Sequence, residues 1–300
     1  MSSLPQHVSV MPAEIVAQLA PAPGSTIVDG TLGAGGHTRL LAECVGPEGL
    51  VLALDRDPAA IEAAEQNLKG LPVALAHSSY SDLPEVLEQL DIKTIDGCVL
   101  DLGLSSDQLA DRERGFSFDS DGPLDLRFDP LEGKPAWQLL ERISEKKLAD
   151  LIYQYGEERY SRRVARKIVE TRRADPIRTA AQLANLVRRC VPRPKDRAAI
   201  DSATRTFQAL RIAVNEELKW LDVALERLPD CLAPGAKLAI ISFHSLEDRR
   251  VKHAFREDDR LEVLTKKPLL PTEEELQQNP RSRSAKLRVA ERIDLTAKEH

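Results

Sequence analysis

The segment Asp29-Gly30-Thr31-Leu32-Gly33-Ala34-Gly35-Gly36-His37 follows directly on a short apolar run, Thr26-Ile27-Val28. That run predicts a buried strand delivering a glycine-rich turn to the start of a helix. Glycine permits positive φ and a close backbone approach, and the N–H groups of such a turn suit a polar or anionic ligand. A second apolar run, Leu50–Leu54, ends on Asp55, where an acidic side chain can accept both hydroxyls of a ribose. Asp29, Gly33, Gly35, Gly36, His37 and Asp55 thus describe a pocket for an adenine-ribose cofactor. The nicotinamide fingerprint G-x-G-x-x-G fails here, because counting from Gly33 puts Thr38 in its last place. A carboxylate at Asp29 would repel a pyrophosphate, whereas it suits the ammonium group of S-adenosylmethionine.

The elements that must position these residues recur with a regular rhythm. Apolar runs lie at Thr26–Val28, Leu50–Leu54, Val73–Ala76 and Cys98–Leu100, with helix-like stretches such as Pro58–Leu68 and Pro84–Leu90 between them. Strands alternating with helices predict an α/β fold with a parallel, doubly wound sheet. Ligands of such sheets sit beyond the carboxyl ends of the strands. That rule adds Ser78–Tyr80, Asp101–Ser106 and Ser242–Ser245 to the glycine loop and Asp55. Tyr80 is placed to pack its ring on an adenine. Asp101-Leu-Gly-Leu-Ser-Ser106 follows the fourth strand, where amino-group methyltransferases bring their nucleophile to the sulfonium.

After Asp101 the rhythm breaks. From Gln108 to about Arg205 the sequence reads as a polar loop followed by helices, which begin near Ser144, after Gly156, and at a capping box, Thr179–Gln182. A proline-basic linker, Val191–Arg197, follows. The parallel pattern then resumes with a long amphipathic helix, Phe207–Leu228, ended by Pro229. Lys237–Phe243 is the expected fifth strand and Glu247–Arg256 a further helix. Strand-like pieces at Leu261–Thr265 and Leu287–Ala290 flank a short capped helix, Thr272–Gln278. The expected organisation is a core of residues 1–107 and 206–300, with 108–205 as an all-α insertion.

Net charge is −6, which by itself does not argue for nucleic acid. Its distribution does: residues 1–100 carry four basic and thirteen acidic side chains, whereas residues 156–211 carry fifteen basic and six acidic ones. Such polarity is the footprint of a phosphate-backbone partner, and Arg159, Arg162, Arg163 and Arg166 lie on one side of the second inserted helix. Cys44, Cys98, Cys190 and Cys231 are scattered, without a C-x-x-C pair or a histidine cluster. That pattern predicts a reducing cytoplasm and no structural metal. No apolar run approaches the length of a membrane span, and Met1–Val10 lacks the pattern of a secretory signal. The apolar face of Phe207–Leu228 suits either core or the interface of a homodimer.

Seven blocks in order along the chain resemble the RsmH/MraW family of bacterial methyltransferases. They are DGTLGAGGH (29–37), DGCVLDLGLSSDQ (96–108), RGFSFDSDGPLDLR (114–127), YGEE (155–158), ATRTFQALRIAVN (203–215), ISFHSLEDRRVK (241–252) and NPRSRSAKLR (279–288). The resemblance implies a Rossmann-like class I methyltransferase core with an inserted helical domain, and S-adenosylmethionine as cofactor. It implies methylation of N4 of a cytidine in the decoding region of small-subunit ribosomal RNA, by direct in-line attack of the exocyclic amine. Cofactor contacts implied on this chain are the Gly35-Gly36-His37 loop, Asp55, Tyr80, Asp101 and Gln108. Arg205 and Arg211 of the fifth block join the arginines expected on RNA. This chain departs from the family pattern at Tyr80, usually phenylalanine, and at Ser9. It departs also at Asp201-Ser202, usually His-Pro, and at Leu126 and Phe128, usually methionines.

A cytosine amine is a poor nucleophile because its lone pair is delocalised into the ring. Its methylation needs acceptors that hold the N–H groups, turn the lone pair toward the sulfonium and take up a proton. DNA amino-methyltransferases use a Ser/Asn/Asp-Pro-Pro-aromatic motif after the fourth strand, and Asp101-Leu-Gly-Leu stands there instead. Asp101, or a backbone carbonyl in Asp101–Ser105, is the expected acceptor, with Asn215 or His244 completing the site. The target base must reach this pocket unpaired or extruded. A small-molecule methyltransferase would leave the basic insertion without a task. A non-catalytic ribosome-assembly factor would keep the glycine loop and Asp55 but tolerate loss of groups beside the methyl.

Overall fold

A computed structural model describes residues 9–118, 120–192 and 201–294. Its sheet has seven strands: β1 (Thr26–Asp29), β2 (Leu50–Asp55), β3 (Val73–His77), β4 (Ile95–Asp101), β5 (Leu232–Ser242), β6 (Leu261–Val263) and β7 (Lys286–Arg292). Their spatial order is β3-β2-β1-β4-β5-β7-β6. Strands β1 to β5 are mutually parallel, and β7 runs antiparallel to both β5 and β6. This is the doubly wound, Rossmann-like arrangement of class I methyltransferases.

Strand alternation explains why both faces are apolar. Val28, Leu52, Leu100 and Ile240 point to one face, which the helices Leu83–Gln89, Glu217–Cys231 and Ser245–Glu257 cover. Their neighbours Ile27, Val51, Val99 and Ile241 point to the other, under Pro12–Leu19 and Gly36–Val45. Burial on both faces is why the strands read as continuous apolar runs rather than alternating ones. The helix Pro12–Leu19 had no counterpart in the sequence reading, yet Ile15 is fully buried and Leu19 nearly so.

The chain divides into two compact units. One runs to Leu104 and resumes at Lys219; the other is Ser105–Leu218. The second therefore reaches beyond the expected 108–205 and takes in the helix Thr204–Asn215. That helix packs on Glu145–Gly156, and Gly156 lets it approach: a Cβ there would stand 2.3 Å from the Arg205 carbonyl oxygen. The second unit also contains the helices Ala136–Arg142, Ser161–Ala174 and Ala180–Cys190. Ser144 and Thr179 cap their helices as the sequence predicts. The linker residues 193–197 lie outside the described residues.

The expected long helix Phe207–Leu228 is two helices. Glu216 adopts left-handed φ, ψ of 50° and 35° between Thr204–Asn215 and Glu217–Cys231. Arg211 reaches forward to Glu217 and Asn215 is drawn to another segment, so both sides of the break are held. Pro229 does not end the second helix, which continues to Cys231. A proline so near the end removes only one intrahelical bond, and Cys231 and Leu232 are buried beyond it. The apolar face is core: Phe207, Leu210, Leu218, Leu221, Leu225 and Leu228 are all buried.

Candidate active site

In the first unit the parallel strands bring Asp29, Asp55 and Asp101, at the ends of β1, β2 and β4, to one edge of the sheet. The chain turns there through Gly30, where a Cβ would lie 2.4 Å from Leu100 Cδ2 and 3.0 Å from Tyr80 Cβ. Only glycine passes between β4 and the Tyr80 segment. Gly33 and Gly35 follow with φ of 51° and 81°, and Gly35 caps the helix that starts at Gly36.

Asp29 is fully buried. Its carboxylate accepts from the Thr31 N–H at 3.1 Å and from the Thr38 hydroxyl at 2.7 Å. Thr38, which spoils the nicotinamide fingerprint, thus orients the acid that opens the loop. The Asp101 N–H donates to the Thr31 hydroxyl at 2.6 Å, tying the glycine loop to the end of β4. Asp55 accepts from the Gly33 and Asp57 N–H groups, both at 2.8 Å. A carboxylate has about four acceptor positions, so two remain for ribose hydroxyls. Burial pushes the Asp55 pKa up to about 6, against the lowering effect of its two backbone bonds.

His37 is buried beside Asp101, with Nε2 3.5 Å from Asp101 Oδ2. That separation is long for a hydrogen bond, so the attraction is chiefly between charges. Burial opposes a charged imidazole, but Asp101, Asp29 and Glu275 outweigh it and the His37 pKa is raised. Burial likewise raises Asp29 and Glu275. Glu275, absent from the sequence reading, accepts the Met11 N–H at 2.7 Å. Both His37 nitrogens and Asp101 Oδ1 are buried without a hydrogen-bond partner. Orphaned polar atoms at a strand edge are where a ligand is expected to complete the bonding.

Tyr80 is partly buried beside Gly30 and packs against the core. His244 caps the helix Ser245–Glu257, its Nδ1 accepting the Glu247 N–H, while Nε2 stands 3.0 Å from a Glu247 carboxylate oxygen. In the second unit, Gln108 forms a capping box with Ser105. Asn215 is buried: its amide donates to the Leu126 and Arg211 carbonyls and accepts the Phe128 N–H. It holds the turn in which Leu126 has φ of 66°. Asn215 is therefore a positioning residue, not a free acceptor. Arg159, Arg162, Arg163, Arg166 and Arg205 are exposed, and Arg159 lies over the Tyr160 ring. Arg211 departs from expectation: its guanidinium makes two bonds to Glu217, at 2.8 and 2.9 Å, and is not available to phosphate. Asp201, one of the departures from the family pattern, binds Arg188 twice and caps the following turn at Ala203.

The sequence model of the MraW methylase family matches residues 5–293. The chain belongs to that family. A ribosomal RNA small subunit methyltransferase H from Rhodopirellula baltica is 55% identical over 96% of this chain and 92% of its own length. Proteins of the same description from Trichlorobacter lovleyi and Synechococcus elongatus are 47% and 50% identical over 96% of this chain, and over 98% and 95% of their own lengths. The cofactor of this methylase family is S-adenosylmethionine, and the residues at the strand edge fit it. Asp29, Asp101 and Glu275 act on one imidazole, a surplus of acceptors suited to an ammonium and a sulfonium. Asp55 keeps two acceptor positions open, as a ribose would require, and among the described residues His37 and Asp101 keep polar atoms unpaired. Among the described residues, no helix is long and apolar enough to cross a membrane.

Proposed function

We propose that this methylase transfers one methyl group to N4 of a cytidine in small-subunit ribosomal RNA. Full-length relatives described as small-subunit ribosomal RNA methyltransferases support the RNA class. The observation that carries the amine reading is Asp101, whose Oδ1 is a buried acceptor without a partner just past β4. Bound S-adenosylmethionine supplies an electrophilic methyl at a sulfonium. Asp101 accepts an N–H of the exocyclic amine and turns its lone pair out of conjugation. After transfer the N4 nitrogen carries an extra proton, which Asp101 takes. Tyr80 packs on the adenine, Asp55 holds the ribose, and the Gly33–His37 loop lies along the cofactor. Gln108 is a further cofactor contact, and His244 and Asn215 hold surrounding backbone. Arg159, Arg162, Arg163, Arg166 and Arg205 bind phosphates and give affinity that falls with salt.

The test is transfer of labelled methyl from S-adenosylmethionine to small ribosomal subunits lacking native methylation, and to the naked RNA, with nucleoside analysis of the product. Label in N4-methylcytidine at one site is expected, and the comparison identifies the assembly state required. Label elsewhere, or none with cofactor tightly bound, would overturn the reading.

A further inference from the structure

Within the second unit, the helices Ser161–Ala174 and Ala180–Cys190 enclose a groove of about 540 Å³. That volume lies in the range of roughly 300–1,000 Å³ typical of small-ligand clefts. Its floor is apolar: Ile177, Leu186 and Cys190 are each under 9% exposed. Its rim is cationic, with Arg163, Arg166, Lys167 and Arg189 against Glu170 and Asp175. Lys167 is balanced by Glu170 at 3.5 Å, and Arg166 stands 3.6 Å from an exposed Glu145. Arg163 and Arg189 make no ion pair among the described residues. Gln182 and Asn185 line the same groove, and their amide oxygens are already used, by the Arg178 and Thr179 N–H groups and by Arg188. Their NH2 groups remain as donors.

We propose that this groove binds an unpaired nucleotide of the RNA substrate, outside the residue that is methylated. The base lies on the Ile177–Leu186–Cys190 floor, with Gln182 and Asn185 donating to its acceptor atoms. The flanking phosphates lie on Arg163 and Arg189. An apolar floor under a cationic rim is how single strands are held, whereas a duplex offers phosphates but no open base. A purely solvated charged face would need no groove, and a free anion would need no apolar floor. The inference rests on the ribosomal RNA reading and adds a second contact point to it.

The experiment uses the full chain with S-adenosylmethionine bound, and measures anisotropy of a labelled ten-nucleotide single-stranded RNA and of a duplex of equal length. Two variants separate charge from shape: Arg163→Glu/Arg189→Glu, and Asn185→Trp, which fills the groove without altering charge. Both are expected to weaken single-strand binding by roughly tenfold or more, and the charge variant to lower the salt slope by about 1.4, for two phosphates. Unchanged cofactor affinity and melting temperature show that the fold is intact. Equal single-strand affinity in the Asn185→Trp variant would overturn the groove and leave only a charged patch. Loss of binding to assembled subunits, with RNA binding unchanged, would overturn it in favour of a protein partner. If the wild-type chain methylates ribosomal RNA and both variants bind RNA normally, the groove alone fails. If wild type transfers no methyl to RNA, the reading beneath it fails instead.

Discussion

With Asp55 on the cofactor ribose, as proposed, cofactor binding becomes pH-dependent. Its carboxyl is pushed up to about 6 by burial, even with two backbone N–H groups bound to it. Only the ionised form can accept both ribose hydroxyls, so below pH 6 a proton must leave for each cofactor bound. Affinity for S-adenosylmethionine is therefore expected to be flat above pH 7 and to fall by up to about tenfold per pH unit well below 6. Calorimetric titrations from pH 5 to 8 check this, and Asp55→Asn should bind weakly with no such slope. The linkage to folding has the opposite sense. A carboxyl raised in the folded state loses stability as pH rises through its ordinary value toward 6, so cofactor binding offsets a cost that Asp55 imposes. Thr38 offers a second check at this scale. Thr38→Val removes a donor from a fully buried Asp29 and should cost about 1–3 kcal/mol, read as a lower melting temperature. The acids were legible in the sequence because each ends an apolar run. Thr38 and Glu275 were not, since one acts through a hydrogen bond to Asp29 and the other meets Met11 across 264 residues of chain.

Strands were the elements most easily read, because burial on both faces leaves little in them but apolar residues. Helix ends were harder. Nothing in Val214-Asn-Glu-Glu217 interrupts the apolar period, yet the chain turns at Glu216, a left-handed position without a glycine. The cause lies far away in sequence, where Asn215 holds the Leu126 carbonyl and the Phe128 N–H. The segment around it is fastened by its own arginines: Arg114 donates to the Arg127 and Phe128 carbonyls, and Arg127 binds Asp125 twice. This makes Asn215→Ala informative. It strips a carbonyl and an N–H of their partner and releases Leu126 from a strained φ. A loss of about 2–3 kcal/mol in stability is expected, with increased proteolysis near residues 126–128. Asn215→Asp keeps the acceptor for Phe128 but turns an oxygen on the Leu126 and Arg211 carbonyls in a buried place, and should lose at least as much. If both variants melt like wild type, Asn215 is not what holds the turn, and its expected place among the catalytic groups would regain its weight.

Across the whole molecule, an acidic total conceals a division of labour. The first hundred residues carry thirteen acidic side chains against four basic ones, while residues 156–211 carry fifteen basic against six acidic, the polarity that a cationic cofactor and a polyanionic partner would require. That division was legible because charge counts need no coordinates, but the fate of single arginines was not. Arg211 is consumed by Glu217 and Arg188 by Asp201, whereas Arg159, Arg162, Arg163 and Arg166 stay exposed. The net charge of −6 predicts repulsion from RNA at long range, so in the proposed reading affinity comes from this local cluster. Each phosphate neutralised on a single strand contributes about 0.7 to the slope of log affinity against log salt. Replacing these four arginines with alanine should reduce the slope by up to about 2.8 and leave the cofactor titration unchanged. Arg211→Ala should instead leave the slope alone and lower stability, because it leaves the buried Glu217 unpaired. Should the two effects be reversed, the pairing of Arg211 with Glu217 would yield to RNA, and the exposed cluster would be a solvated face.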